Sequence, residues 1–129
     1  MCETDAPLVC LVDDDASVRK SVGRLLEVSG YRVAPFGEPE AFLSYLSTHA
    51  VPVLVLDIWM EKMNGMEVLT YLCAQSPETR VIFITGHKDH AAEAVVKQAG
   101  AFAFFMKPLE NAPFLAAVDR AFKRSSAGQ

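Results

Sequence analysis

Apolar runs alternate with segments in which apolar positions recur at helical spacing, and the alternation is completed five times along the chain. Leu8–Val12 is a continuous apolar run and predicts a buried strand. Val18, Val22, Leu25 and Leu26 then fall on one helical face, and the helix is expected to stop at Gly30. Tyr31–Ala34 reads as a short second strand, followed by turn chemistry in "PFGEPE". Ala41, Phe42, Tyr45 and Leu46 mark a second helix. Val51–Leu56, "VPVLVL", is apolar on both faces, as a central parallel strand should be, with Pro52 confined to its start. Met66, Leu69, Leu72 and Cys73 predict a third helix and Val81–Ile84 a fourth strand. Ala91, Ala94, Val95 and Ala99 form an alanine-rich fourth stripe ending at Gly100. Ala101–Met106 is the fifth strand, and Phe114, Leu115, Val118, Ala121 and Phe122 line the last helix.

Five strand–helix pairs call for an α/β fold, a doubly wound five-stranded parallel sheet covered on both faces through right-handed crossovers. The 129 residues suit one domain, set at residues 8–124, with an N-terminal extension over 1–7 and a frayed tail or linker over 125–129. With 51% apolar and 22% charged residues the chain should fold. No apolar run reaches the ~20 residues that span a bilayer, and the acidic "MCETDAP" start is no signal peptide. A cytoplasmic protein that does not engage membranes is expected. The three cysteines, Cys2, Cys10 and Cys73, show no metal-ligand spacing and read as reduced thiols, Cys10 in the core. A net charge of −4 disfavours nucleic-acid binding by this domain alone. The basic Arg120–Arg124 patch reads as a solvated helix face.

Open parallel sheets bind ligands beyond the carboxyl ends of their strands. There the first strand carries Asp13-Asp14-Asp15, the third Asp57, the fourth Thr85-Gly86 and the fifth Lys107-Pro108. Two like charges about 4 Å apart repel by roughly 4 kcal/mol at an effective dielectric near 20. Clustered acids become favourable once a divalent cation neutralises them, and Mg²⁺ takes one or two carboxylates together with phosphate oxygens. The same set suits phosphoryl transfer, with Asp57 as nucleophile, Lys107 as a point charge and Thr85 as a hydroxyl donor. Singly, each residue has a plainer role: Asp15 or Ser17 as a helix cap, Asp57 capping a turn, Lys107 extending to solvent. Jointly, at the ends of four strands, they point to one site. "HKDH", His87–His90, reads as a polar loop rather than a metal site.

With "VDDD", "LDIWM", "ITGH" and "MKP" at those strand ends, the chain resembles the receiver domains of two-component response regulators over roughly Leu8–Lys123. "VIFITGH" and "AGAFAFFMKP" look most like FixJ-type transcription regulators. The resemblance implies the CheY-like strand order 2-1-3-4-5. It implies Asp57 as phosphoacceptor, fed by a sensor histidine kinase. It implies Mg²⁺ or Mn²⁺ held by Asp13, Asp14, Asp57 and the backbone carbonyl of Trp59. It further implies Thr85 as switch hydroxyl, Lys107 as phosphoryl contact, a cis bond before Pro108, and Phe104 as the aromatic switch. In that family, phosphorylation draws the hydroxyl inward, the ring follows, and the face of the fourth helix, fifth strand and fifth helix changes partners, homodimerisation included. No turnover on an external substrate is implied, so the chain is not an enzyme in the usual sense. The output is expected to be transcription, through a DNA-binding domain outside this chain; a single-domain regulator acting by protein contacts is the alternative.

Other classes fit less well. A haloacid-dehalogenase-like phosphatase needs a second acid two residues after its nucleophile, where Trp59 stands. A flavodoxin-like carrier needs a phosphate cradle where "DDDAS" repels phosphate. A pseudo-receiver typically lacks a key acid or the lysine, and none is missing here. Two departures from the FixJ-like pattern are Trp59 where Arg is common and Glu61 where Pro is common. Glu61 is expected to weaken Mg²⁺ binding or loosen the loop. The bulk of Trp59 is expected to slow attack by water on an aspartyl-phosphate. Trp59→Arg should therefore shorten the phosphoryl half-life, measured by the decay of phosphorylated protein; an unchanged half-life would reject that role.

Overall fold

Residues 6–58, 65–86, 90–107 and 109–127 are described by a computed structural model. Runs of Val, Leu and Ile, with few polar interruptions, build the three central strands: β1 (Leu8–Val12), β3 (Val53–Asp57) and β4 (Arg80–Thr85). Nearly every residue in them is buried, because both faces of a parallel sheet are covered. With β2 (Arg32–Phe36) and β5 (Ala103–Met106) at the edges, the five parallel strands run in the order β2-β1-β3-β4-β5.

The helices are α1 (Ala16–Val28), α2 (Pro39–Leu46), α3 (Gly65–Gln75), α4 (His90–Gln98) and α5 (Asn111–Ala127). Because strand side chains alternate, the sheet supports two cores. Cys10, Val12, Leu54, Leu56, Val81 and Phe83 pack with α2, α3 and α4 through Phe42, Val68, Leu69, Leu72 and Val96. Val9, Leu11, Val53, Val55, Ile82 and Ile84 pack with α1 and α5 through Val22, Leu26, Phe114, Val118 and Ala121. Among the described residues, no helix is long and apolar enough to cross a membrane.

The two glycine stops are as expected. Gly30 and Gly100 take φ of 99° and 114°, the left-handed region that favours glycine. At each, the last helical carbonyls are satisfied in the same way: Tyr31 N–H donates to Leu26 and Gly30 N–H to Glu27; Ala101 N–H donates to Val96 and Gly100 N–H to Lys97.

Several boundaries differ from the expectation. The second strand covers Arg32–Phe36 rather than Tyr31–Ala34, taking in Pro35 and Phe36, which read as turn. An edge strand has one side without a neighbour, so a residue lacking an N–H is tolerated there. The fifth strand starts at Ala103 because Ala101 closes the end of α4. The backbone of α5 continues to Ala127, beyond residue 124. On α3 the inward face includes Val68, while Cys73 is exposed. Cys10 is buried as expected, and burial pushes its thiol up to about 12, which leaves it inert.

The α4 stripe is the clearest correction. Ala91, Ala94 and Val95 are exposed, and Val96 is the residue buried against the sheet. Alanines contribute so little apolar area that one valine decides the facing, and the periodicity allowed either of two adjacent ones. Val96→Ala is expected to destabilise the fold by roughly 2 kcal/mol. Val95→Ala should change it by less than about 0.5 kcal/mol. Urea unfolding of both variants checks the assignment.

Candidate functional site

The chain leaves β1 for β2 on one side and then for β3 on the other, so the crevice between the ends of β1 and β3 is the switch in strand order. Val12 and Leu56 are register partners on these strands. The next residues, Asp13 and Asp57, therefore emerge side by side, both buried. Asp14, exposed, completes a group in which one carboxylate oxygen from each residue lies within 4.8 Å of the others.

Asp15 is not part of this group. It is the N-cap of α1, accepting from the Ser17 amide at 2.9 Å and the Ser17 hydroxyl at 2.8 Å. The Ser17 hydroxyl, then its amide, hold this carboxyl below its ordinary range. The acidic triplet thus divides into one cap and two members of the cluster.

Lys107 reaches the same crevice from the end of β5. Its backbone N–H donates to the Thr85 carbonyl at 2.7 Å, extending the β4–β5 ladder past Met106. Its Nζ stands 2.9 Å from Asp13 Oδ2 and 3.6 Å from Asp57 Oδ2. Burial is the largest single influence on this ammonium and disfavours its charge. The hydrogen bond to Asp13 and the charges of Asp57 and Asp13 together outweigh it, so the Lys107 pKa is raised.

Asp13 is held at four atoms. Its N–H donates to the Phe36 carbonyl at 3.1 Å, and its carbonyl accepts from Arg19 Nη1 at 2.7 Å. Its Oδ1 accepts from the Asp15 amide at 2.9 Å and its Oδ2 from Lys107. Asp57 is constrained from behind by Gly65, whose N–H donates to the Ile58 carbonyl at 2.7 Å. A Cβ at Gly65 would lie 2.7 Å from a ring carbon of Phe83 and 2.8 Å from the Asp57 carbonyl oxygen. Only a glycine lets α3 start this close to the strand.

Thr85 is fully buried at the end of β4, one residue beyond Ile84, the register partner of Asp57. Phe104 pairs with Phe83, and the alternation of side chains puts it on the same sheet face as Thr85. The Phe104 ring is half-buried against the core that contains Phe83 and Val96.

Of the residues expected from the sequence, the fold thus brings Asp13, Asp14, Asp57 and Lys107 into one crevice, with Thr85 at its edge and Phe104 below it. Trp59, Glu61, His87 and Pro108 lie outside the described residues, as does the side chain of His90. Arg19 and Gly65 were missed as contributors to the site. Gly65 had a signal, as the glycine that closes "DIWMEKMNG" after the strand-end Asp57; Arg19 had none, since its partner is a backbone carbonyl.

The donors are all hard carboxylate oxygens, without thiol or imidazole, and this suits Mg²⁺ or Mn²⁺. Asp13, Asp14 and Asp57 are the residues that would hold such an ion. Residues 9–119 match the response regulator receiver domain family. The chain belongs to that family. It is 36% identical over 113 residues to the transcriptional regulatory protein FixJ of Rhizobium meliloti, covering 88% of this chain and 55% of that protein. It is 34% identical over 116 residues to the response regulator protein TmoT of Ectopseudomonas mendocina, covering 90% and 53%. The chain spans about half the length of these curated relatives. Among solved structures, the BeF3-activated DrrB receiver domain superimposes with a TM-score of 0.83 at 30% identity, covering 92% of this chain and 98% of that one. Full-length FixJ from B. japonicum does so with a TM-score of 0.86 at 29% identity, covering 92% and 59%. As a receiver domain of the two-component type related to FixJ, the chain carries its acidic cluster where the strand order switches.

Because the Lys107 pKa is raised by folding, the stability it contributes is fully present below its ordinary value of 10.5 and is lost as pH rises through the raised one. Lys107→Met should cost roughly 2 kcal/mol near neutral pH. That is below the ~3–5 of a fully buried pair, because the side chain is 21% exposed. In urea unfolding across pH, the gap between wild type and variant should hold below the ordinary value of 10.5 and narrow as pH rises beyond it.

Proposed function

We propose that this receiver accepts a phosphoryl group on Asp57 from a phosphohistidine of a sensor histidine kinase and passes the change to an output partner. The observation that carries the reading is the group of Asp13, Asp14 and Asp57, with oxygens within 4.8 Å, and Lys107 Nζ 2.9 Å from Asp13. A carboxylate oxygen of Asp57 attacks phosphorus; the P–N bond to the donor imidazole breaks, and the imidazole leaves with a proton. Asp13, Asp14 and Asp57 would hold Mg²⁺ or Mn²⁺, which would offset the charge of the acids and of the phosphoryl oxygens. Lys107, held cationic between two carboxylates, moves its ammonium onto a phosphoryl oxygen, and Thr85 donates its hydroxyl to another. Attack by water on the phosphorus later breaks the Asp57 O–P bond, releasing phosphate and restoring the carboxylate. Both steps act on the protein's own side chain, so no turnover on an external substrate is expected.

The kinase approach is supported by a groove between α1 and the start of α5. Val18, Val22, Leu25, Val28 and Leu109 line it, and it opens at Gly86 and Lys107 onto the acidic crevice. On the other side, the movement of Thr85 is transmitted through Phe104, on the same sheet face, to the α4-β5-α5 surface. Exposed Ala94, Val95 and Met106 there suit an exchange of protein partners, including a second copy on phosphorylation. The relation to the transcriptional regulatory protein FixJ favours transcription as the output, through a DNA-binding domain not in this chain.

Incubation with a small acyl-phosphate donor, with and without Mg²⁺, tests the chemistry by intact mass. Wild type should gain one phosphoryl group only with Mg²⁺, and Asp57→Asn none. A gain that persists in Asp57→Asn, or none from either a small donor or a phosphorylated kinase, would overturn the reading.

A further inference from the structure

One of the four contacts that hold Asp13 comes from outside the ring of strand ends. Arg19, the fourth residue of α1, donates from Nη1 to the Asp13 carbonyl at 2.7 Å, a charge-assisted bond. Its guanidinium lies against Gly37, just past β2. A Cβ on residue 37 would sit 2.9 Å from Nη1 and 3.2 Å from Cζ of Arg19. Gly37 is not among the described glycines with positive φ, so its backbone does not require glycine. The clearance for Arg19 does.

We propose that Arg19 is a positioning residue for the divalent-cation site, and that Gly37 is the space in which it works. The inference rests on the reading of Asp13, Asp14 and Asp57 as a Mg²⁺-dependent phosphoacceptor site. The peptide between Asp13 and Asp14 is planar, so holding the Asp13 carbonyl oxygen also sets the nitrogen and Cα of Asp14. The direction of the Asp14 backbone sets where its side chain begins, and so bears on where that exposed carboxylate stands. Lys107 and the Asp15 amide already hold the Asp13 side chain. The Arg19 contact extends that order to the second acid.

Arg19 also brings a positive charge towards the cluster, and charge and position act in opposite directions. Removing a cation alone would raise the affinity for Mg²⁺; losing the positioning lowers it. Gly37→Ala separates the two. It keeps the charge, and the atoms it would crowd are the far end of a flexible side chain, so Arg19 yields rather than the backbone.

The test is a Mg²⁺ titration of the full chain without phosphoryl donor, followed by emission of Trp59, the single tryptophan, and by calorimetry. Arg19→Gln should weaken Mg²⁺ binding roughly 10-fold, as loss of outer contacts to metal ligands does elsewhere. Gly37→Ala should weaken it in the same direction, and the double variant should bind no more weakly than Arg19→Gln alone. Unchanged or tighter binding in either single variant overturns the proposal, as does a loss of thermal stability without a change in affinity. Additive losses in the double variant also overturn it, because the two residues would then act separately. Should Arg19→Gln fail to fold, Gly37→Ala alone decides by the same criteria. A wild type lacking any Mg²⁺ response that Asp13→Asn abolishes brings down the acidic-site reading, and this inference with it. Normal binding by wild type beside unaffected variants sinks this inference alone.

Discussion

Two carboxylates buried side by side at the ends of adjacent central strands are tolerable only if a cation reaches them, and Lys107 is that cation. Asp13 and Asp57 stand on β1 and β3, whereas Lys107 follows β5, on the far side of β4. Its four-carbon arm spans the intervening strand end to bring Nζ to 2.9 Å from one acid and 3.6 Å from the other. The ladder bond from the Lys107 N–H to Thr85 aims that arm. The arrangement neutralises part of the acidic charge. A group that lies against carboxylates can turn to a phosphoryl oxygen when a stronger anion arrives.

The rest of the crevice is organised around keeping those acids in place. Asp13 spends its backbone on Phe36 and Arg19 and its side chain on Asp15 and Lys107. Gly65 allows α3 to begin directly behind Asp57. Asp15 turns its charge to the first turn of α1, where unsatisfied amides favour an anion. Three consecutive acids are thus given three different surroundings. One is buried and bound at both oxygens, one is exposed at the mouth of the crevice, and one caps a helix.

The two sheet faces divide the work of a receiver. The face under α1 and α5 leads to the groove that meets the crevice at Lys107 and Gly86. Thr85 and Phe104 share the opposite face with α4, which among the described side chains is buried there through Val96. In the reading proposed above α4 is the element that shifts, while β1, β3 and β4, buried on both faces, stay in place.

Much of this was legible in the chain. The long apolar runs of β1, β3 and β4 declared buried parallel strands, Gly30 and Gly100 declared helix ends, and the polar residue after each run declared the crevice. These signals are local: burial on both faces leaves no polar residue, and a left-handed turn favours glycine. Weak local signals misled, as at Pro35, admissible only because β2 is an edge, and at α4, where alanines left the facing to one valine. The division of the three acids was legible: Asp15, with Ser17 as the alternative, was expected as the cap and, by resemblance, Asp13 and Asp14 as the pair beside Asp57, and the structure makes Asp15 the cap and groups the other two with Asp57. The strands, the sheet class and the inventory of acids, hydroxyl and lysine at the strand ends could all be read from the residues alone. What folding added is how closely these groups meet, and the part played by Arg19 and Gly37. Those depend on contacts with backbone carbonyls and on clearances of a few ångströms between segments distant in the chain, which no pattern of side chains records.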